Sequence, residues 1–204
     1  MSGEIRAGRV NQTERTRRAI VEAARVLIRT GGEVTMPAVA KSALVSEATA
    51  YRYFPDLPAL LREALAEVWP SPEAALEPVA RSDDPSERIA CATEALLRQV
   101  LAYQGAVRAM IAATITHPGQ AAARPGLRFG LIDYALHPLA ADEAALAQLK
   151  RDLAVVVSAE ALFTLTDLCG LSPDEAIASA VRTARTLTEA AAGKSFGRGA
   201  GLTG

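Results

Sequence analysis

Two short helical patterns lie side by side in the stretch TMPAVAKSALVSEATAYRYF, which runs from Thr35 to Phe54. Thr35 can cap the first helix, with Pro37 in its first turn, and Ser46 can cap the second. Only the turn ALVS separates them, which is the spacing of a helix-turn-helix. In that motif the second helix enters the major groove of DNA while the first crosses the backbone. We therefore expect a DNA-binding element near the amino terminus.

The segments on either side of this motif also have helical periodicity. A first helix is predicted from Thr13 to Thr30, where Gly31 and Gly32 would end it. A fourth helix is predicted to begin after Asp56 as its cap. The residues expected to face the core are Ile20, Ala24, Leu27, Ile28, Val39, Ala40, Ala43, Ala50, Tyr53, Phe54, Leu60, Leu61, Leu65, Val68 and Trp69.

The remainder of the chain is rich in alanine and again helical in pattern, without an alternating strand pattern of useful length, so we predict an all-α fold. The segment from Asp142 to Cys169 has the longest uninterrupted helical pattern, and its middle, LAVVVSAEALFTL, is apolar on nearly every side. Such a helix must be covered within the subunit or by a partner chain. The segment Pro173–Ala192 has an apolar stripe made of Ile177, Val181, Ala184 and Leu187. Together the two segments predict a homodimer interface.

Charge is distributed unevenly along the chain. Through Arg62 there are 10 Lys and Arg against 6 Asp and Glu, a balance of +4, and from Glu63 onward there are 12 against 17, a balance of −5. A basic first part on an acidic remainder suggests that only the first part meets a polyanion. We predict a DNA-binding domain with a basic amino-terminal arm over residues 1–57, a ligand-binding and dimerisation domain over 58–192, and a flexible glycine-rich tail over 193–204.

Several function classes lack the residue patterns that they require. No Ser-His-Asp, phosphate-loop or paired-carboxylate pattern has the necessary spacing, so we expect no enzyme activity, no catalytic residue and no cofactor. Cys91 and Cys169 form neither a metal-type cluster nor a disulfide framework, and we interpret both as small buried residues. Without a signal core, and with charges interrupting every apolar run, a cytoplasmic location and no membrane partner are expected.

The second helix of the motif would present a polar face to its surroundings. If Ala50 and Phe54 point inward, the positions between them point outward, because residues four apart share a face. The residues left exposed are then Glu47, Ala48, Thr49, Tyr51 and Arg52. The hydroxyl groups of Thr49, Tyr51 and Tyr53 can donate to phosphate oxygens, and Arg52 adds positive charge.

Residues from Thr16 to Trp69 resemble the TetR-type bacterial transcriptional repressors through the stretches AIVEAARVLIRTGG, TMPAVAKSALVSEATAYRYF and ALLREAL. The signature of that family is a helix, a helix-turn-helix ending in T-x-Y-x-Y/H-F, and a fourth helix. The resemblance implies a helical homodimer in which small DNA-binding domains join larger ligand-binding domains. It also implies that the last two long helices pair across the dimer.

Carried over to this sequence, the family's DNA contacts fall on the second helix of the motif. The resemblance implies hydroxyl contacts from Thr49, Tyr51 and Tyr53. It places Glu47 and Ala48 nearest the base edges. The full set of predicted DNA-binding residues is Arg17, Thr35, Lys41, Ser46, Glu47, Ala48, Thr49, Tyr51, Arg52 and Tyr53.

Two positions depart from the family pattern. Leu44 stands where the family usually has glycine, and a left-handed conformation there would cost roughly 1–2 kcal/mol, so we expect a rearranged turn. Leu57 replaces a lysine that binds phosphate at the start of the fourth helix, which removes one backbone contact. Basic residues elsewhere could replace that charge, including those of an arm that reaches the minor groove. They are Arg6, Arg9, Arg15, Arg17, Arg18 and Lys41.

Aromatic and methionine side chains in the second part of the chain could line a cavity between helices. The predicted ligand-binding residues are Trp69, Tyr103, Met110, Phe129, Tyr134 and Phe163. Few charges lie among them, so the cavity would suit a small apolar or amphipathic effector. The sequence thus predicts a ligand-responsive repressor that binds a palindromic double-stranded DNA operator as a dimer. The alternative is a helical ligand-binding or scaffold protein with a degenerate helix-turn-helix.

Overall fold

The computed structural model describes the backbone of residues 2–31, 34–66, 68–116 and 126–199, with the side chains that lie between 12 and 193 in those ranges. Its regular structure is entirely helical, without a strand in these ranges, which confirms the predicted all-α fold. No helix in them is both long and apolar enough to cross a membrane. In chain order the helices are α1 (Ser2–Arg29), α2 (Met36–Ser42), α3 (Glu47–Tyr53), α4 (Leu57–Ala64), α5 (Pro72–Ala75), α6 (Pro85–Ala102), α7 (Gln104–Thr116), α8 (Leu127–Ala135), α9 (Glu143–Val156), α10 (Ala159–Phe163) and α11 (Pro173–Gly199).

These helices divide into two compact units. α1 to α4 form the first unit together with α7, whereas α5, α6 and α8 to α11 form the second. Both α4 and α7 therefore belong to the same unit as the helix-turn-helix, although the sequence division assigned them to the ligand-binding part. The functional division after residues 57 and 192 stays a prediction, because it concerns what each part binds.

The first unit is built around an apolar cluster to which each of its helices contributes. α1 contacts α2 and α4, α2 contacts α3, and α4 contacts α7. Ile20, Val39 and Leu60 are completely buried in this cluster, as their helical spacing predicts. Of the other predicted core residues, those that pack against the cluster while partly exposed are Leu27, Ala43, Tyr53, Val68 and Trp69.

Capping side chains determine where the three short helices of this unit begin. Thr35 Oγ1, Ser46 Oγ and Asp56 Oδ1 each accept a hydrogen bond from the amide three residues later, at 3.3, 3.2 and 2.7 Å. Each cap satisfies one of the amides that a helix leaves unpaired in its first turn. All three predicted caps are confirmed.

The first helix is longer than predicted. α1 begins at Ser2 rather than Thr13, so the backbone of the expected arm is helical. The intervening residues contain no proline, and glycine costs a helix only about 1 kcal/mol, so the helix continues through them. Gly31 follows α1 with φ +68°, as expected for a residue that ends a helix. The other predicted stop residue, Gly32, lies outside the described residues.

The fourth helix is shorter than predicted. α4 ends at Ala64, because the amides of Ala66 and Val68 donate to carbonyls three positions earlier and tighten the chain into turns. Trp69 therefore lies after this helix, not at its end.

In the second unit α6 lies against α5, α8 and α11, and α9 packs on α8 and α11. The predicted uninterrupted helix from Asp142 to Cys169 is wrong, because the chain breaks between α9 and α10. Ser158 there has φ −150° and ψ 153°, and its Oγ caps α10 by accepting from the amide of Ala161 at 3.1 Å. A run of β-branched valines before it weakens the helix, and a serine offers a new start.

The last helix and one cysteine also differ from the prediction. α11 continues to Gly199, whereas the sequence ended this segment at Ala192, and the flexibility of the tail stays a prediction. Residues 200–204 lie outside the described range. Cys169 is exposed, not buried, while Cys91 is half-buried with its thiol directed to the carbonyl of Ala75 at 3.5 Å. Burial raises the pKa of the Cys91 thiol above its usual value, which favours the protonated form.

Candidate nucleic-acid interface

The turn between α2 and α3 keeps the left-handed conformation that its sequence disfavours. Leu44 has φ +57°, and its side chain is 92% exposed. The amide of Val45 donates to the carbonyl of Ala40 at 3.0 Å, and that of Leu44 donates to Lys41 at 3.2 Å. This pair of bonds is the Schellman pattern that normally ends a helix at glycine. The expected rearrangement is therefore wrong, and the helix-turn-helix geometry persists around a strained leucine.

α3 presents the polar face that its spacing predicts. Ala50 and Phe54 are buried, at 0% and 1% exposure, and hold the helix against the core. Tyr51 is 48% exposed. The other exposed residues of this face are Glu47, Ala48 and Arg52, while Thr49 and Tyr53 are half-buried.

Hydroxyl groups at the two helix starts already have intramolecular partners. Ser46 Oγ accepts from the amide of Thr49 and also lies 2.8 Å from its Oγ1. Thr35 Oγ1 accepts from the amide of Ala38. Because a hydroxyl can donate as well as accept, these caps leave room for a further contact to a phosphate oxygen.

The basic residues predicted to meet DNA differ in their surroundings. Lys41 is exposed at the last turn of α2, and Arg52 lies with its guanidinium carbon 5.6 Å from the centre of the Tyr53 ring. Arg17 instead forms an ion pair with Glu63 of α4, and its Nη1 lies 3.4 Å from the Tyr53 carbonyl oxygen. Its charge is therefore paired within the unit.

Leu57, which replaces the expected lysine, packs partly buried against the core cluster. Leu57 thus contributes to packing at the start of α4, the position from which the family's lysine would bind phosphate. The sequence signal for the Arg17 and Glu63 pair was absent, because the two residues are 46 positions apart.

The six predicted ligand-binding residues fall into two groups. Trp69, Tyr103 and Met110 join the core cluster of the first unit. Trp69 Nε1 is buried without a hydrogen-bond partner, the one such side-chain atom found among the described residues. Leaving a buried donor unpaired costs about 1–3 kcal/mol, so this indole is a candidate contact for an acceptor.

The other three lie in the second unit. Phe129 is 50% exposed, and Phe163 is half-buried. Tyr134 lies beneath Arg88, whose guanidinium carbon is 5.3 Å from the ring centre. Two clefts of this unit, of about 580 and 530 Å³, contain none of the six residues in their walls.

Comparison with known families identifies the first unit. Residues 19–64 match the model of the bacterial regulatory proteins of the tetR family. The chain carries a TetR-type DNA-binding domain. The matched residues run from within α1 to the end of α4, so they include the whole helix-turn-helix and its supporting helices. The protein is accordingly a DNA-binding transcriptional regulator. Comparisons with curated proteins and with solved structures find no match.

Proposed function

We propose that this TetR-type protein is a ligand-responsive repressor that binds a palindromic operator as a dimer. The observation that carries the proposal is the exposed polar face of α3, held in place by buried Ala50 and Phe54. Glu47 and Ala48, in its first turn, read base edges. Thr49, Tyr51 and Tyr53 donate to phosphates. Further contacts to the phosphate backbone, which fix the position of the protein on the duplex, come from Thr35, Lys41, Ser46 and Arg52.

Dimerisation uses α9, α10 and α11 of the second unit. One recognition helix reads too few base pairs for useful specificity, so two half-sites are needed. Val155 on α9 and Leu168 after α10 are 71% and 82% exposed, which is unusual for large apolar side chains. The cleft of about 530 Å³ between α9 and α11 has mostly apolar walls, with Asp142, Gln148 and Asp152 among them, that a second copy would cover. Those walls include Leu139, Ala145, Leu146, Leu149, Leu187, Ala190 and Ala191.

The effector acts near Trp69 through its unpaired indole N–H. Tyr103 and Met110 pack in the same cluster, and α7, which carries Met110, contacts α4. A small amphipathic molecule with an acceptor oxygen would satisfy the indole and displace α4. Within the second unit, Phe129, Tyr134 and Phe163 are proposed separately as apolar contacts for an effector. A hundredfold loss of operator affinity requires an effector preference of about 2.7 kcal/mol for the released state.

A thermal-shift screen of small amphipathic compounds, followed by operator-binding measurements on each hit, tests this response. A hit should weaken operator binding, and Trp69→Phe should weaken hits that carry an acceptor more than hits that lack one. Hits that stabilise the protein yet leave operator affinity unchanged would contradict ligand control. The alternative, a helical ligand-binding protein with a degenerate helix-turn-helix, predicts ligand hits without any salt-dependent operator site.

A further inference from the structure

Arg17 on α1 joins α4 to the end of α3. Its Nε donates to Glu63 Oε1 at 3.1 Å, and its Nη2 donates to Glu63 Oε2, so the pair is bidentate. Its Nη1 lies 3.4 Å from the carbonyl oxygen of Tyr53, the last residue of α3. Its guanidinium carbon also lies 4.5 Å from the centre of the Phe54 ring. One side chain thus contacts both the recognition helix and the helix that follows it.

Each of these contacts restricts the carboxyl end of α3. The last carbonyls of a helix have no partner within it and carry partial negative charge, so a cation there is stabilising. Phe54, beneath the guanidinium, is 1% exposed and anchors the same end in the core. The carboxylate of Glu63 fixes the plane of the guanidinium, since a bidentate pair has a defined geometry.

A second arginine of α1 strengthens the attachment of α4. Arg25 Nε donates to the carbonyl oxygen of Ala64 at 3.1 Å. Glu63 and Ala64 are the last two residues of α4, so α1 holds this end of the helix through both arginines. A shift of the carboxyl end of α4 must therefore disturb Arg17 and, with it, Tyr53.

We propose that Arg17 and Glu63 are positioning residues for DNA recognition, which set the carboxyl end of α3 according to the position of α4. The proposal rests on the proposed operator binding. It differs from the sequence prediction, in which Arg17 itself binds DNA. A positioning pair changes operator affinity without removing a phosphate contact.

The two roles of Arg17 are separated by the salt dependence of operator binding. Operator affinity falls as salt rises, and loss of one phosphate contact makes the slope of log affinity against log salt shallower by about 0.9. We expect Glu63→Gln and Arg17→Gln each to weaken binding about five- to tenfold with an unchanged slope, and the double variant to lose little more than either, as coupled residues do. Arg29→Gln is the matched control, because Arg29 is an exposed arginine of the same helix α1, is not among the predicted DNA contacts, and pairs with Glu22 of α1 at 3.0 Å.

Arg17→Lys provides a second test that keeps the charge. Lysine can still bind a phosphate but cannot reproduce the fork that engages Glu63, so a positioning role predicts a loss of affinity similar to Arg17→Gln. Thermal unfolding confirms that each variant is folded at the assay temperature.

Wild-type affinity is measured first, so failure of operator binding itself would be recognised separately. The proposal is overturned if Arg17→Gln lowers the slope by about 0.9 while Arg17→Lys binds normally, since that is the behaviour of a phosphate ligand. It is equally overturned if the variants lose only thermal stability and keep full affinity, since the pair would then be merely structural.

Discussion

The amide of Val45 donates to the carbonyl oxygen of Ala40 across 3.0 Å, and this bond closes the turn around Leu44. We expect Leu44→Gly to raise the free energy of unfolding by about 0.5–1 kcal/mol, because it removes the strain of a left-handed leucine while adding some unfolded-state entropy. Urea denaturation measures the change. Leu44→Ala keeps a Cβ and should give no comparable gain. A glycine variant that is neutral or less stable would contradict this account of the turn.

A buried cation stabilises the second unit. Arg88 is 6% exposed, and its Nε and Nη2 donate to the carbonyls of Ala135 and Tyr134, at the end of α8, at 3.1 and 3.0 Å. Arg88→Met should lower the free energy of unfolding by about 2–4 kcal/mol, because it leaves buried carbonyls unpaired. Arg185→Met, which removes an exposed pair with Glu189, should cost under about 1 kcal/mol. Equal losses of unfolding free energy in the two variants would show that burial of Arg88 does not add to stability.

The exposed lysine of the first unit should contribute charge without sequence preference. Lys41→Gln is expected to lower the salt slope of operator binding by about 0.9 and to weaken binding to all duplexes alike. Titration of selected and scrambled duplexes over a range of salt measures both effects. Selective loss for the operator alone would instead assign Lys41 to base recognition.

An exposed valine on α9 should lie in the dimer interface. Val155→Asp is expected to shift the protein toward monomers, because a charge cannot be buried unpaired against a partner chain. Ile115→Asp is the matched control, since Ile115 on α7 is also an apolar residue with 69% exposure. Sedimentation velocity reports the oligomeric state. A folded Val155→Asp protein that remains dimeric would place the interface on another face.

Local signals in the sequence predicted the helix caps and the core residues of the first unit but missed the helix break in the second. The caps Thr35, Ser46 and Asp56 and the burial of Ile20 and Leu60 depend on residues a few positions apart, so the pattern predicts them. The break before α10 was missed, because a serine within an apolar run resembles an ordinary small residue until its side chain caps the new helix.

Two features of the candidate interface depended on tertiary structure. The Arg17 and Glu63 pair joins residues 46 positions apart, so no periodicity indicates it. Because a left-handed leucine is disfavoured, the sequence predicted a rearranged turn, whereas Leu44 keeps the left-handed conformation. The sequence could not indicate that two backbone hydrogen bonds and the packing of α2 against α3 would outweigh a strain of roughly 1–2 kcal/mol.

Selection of duplexes from a random pool by the full-length protein tests the central claim most directly. A dimeric repressor predicts enrichment of a palindrome whose half-sites lie about 10–10.5 base pairs apart, or a multiple of that spacing, and whose affinity falls steeply with salt. Val155→Asp should lose this site, because it separates the two recognition helices. Enrichment of no palindrome, with binding that is weak and indifferent to sequence, would contradict the account and favour a helical protein whose helix-turn-helix no longer reads DNA.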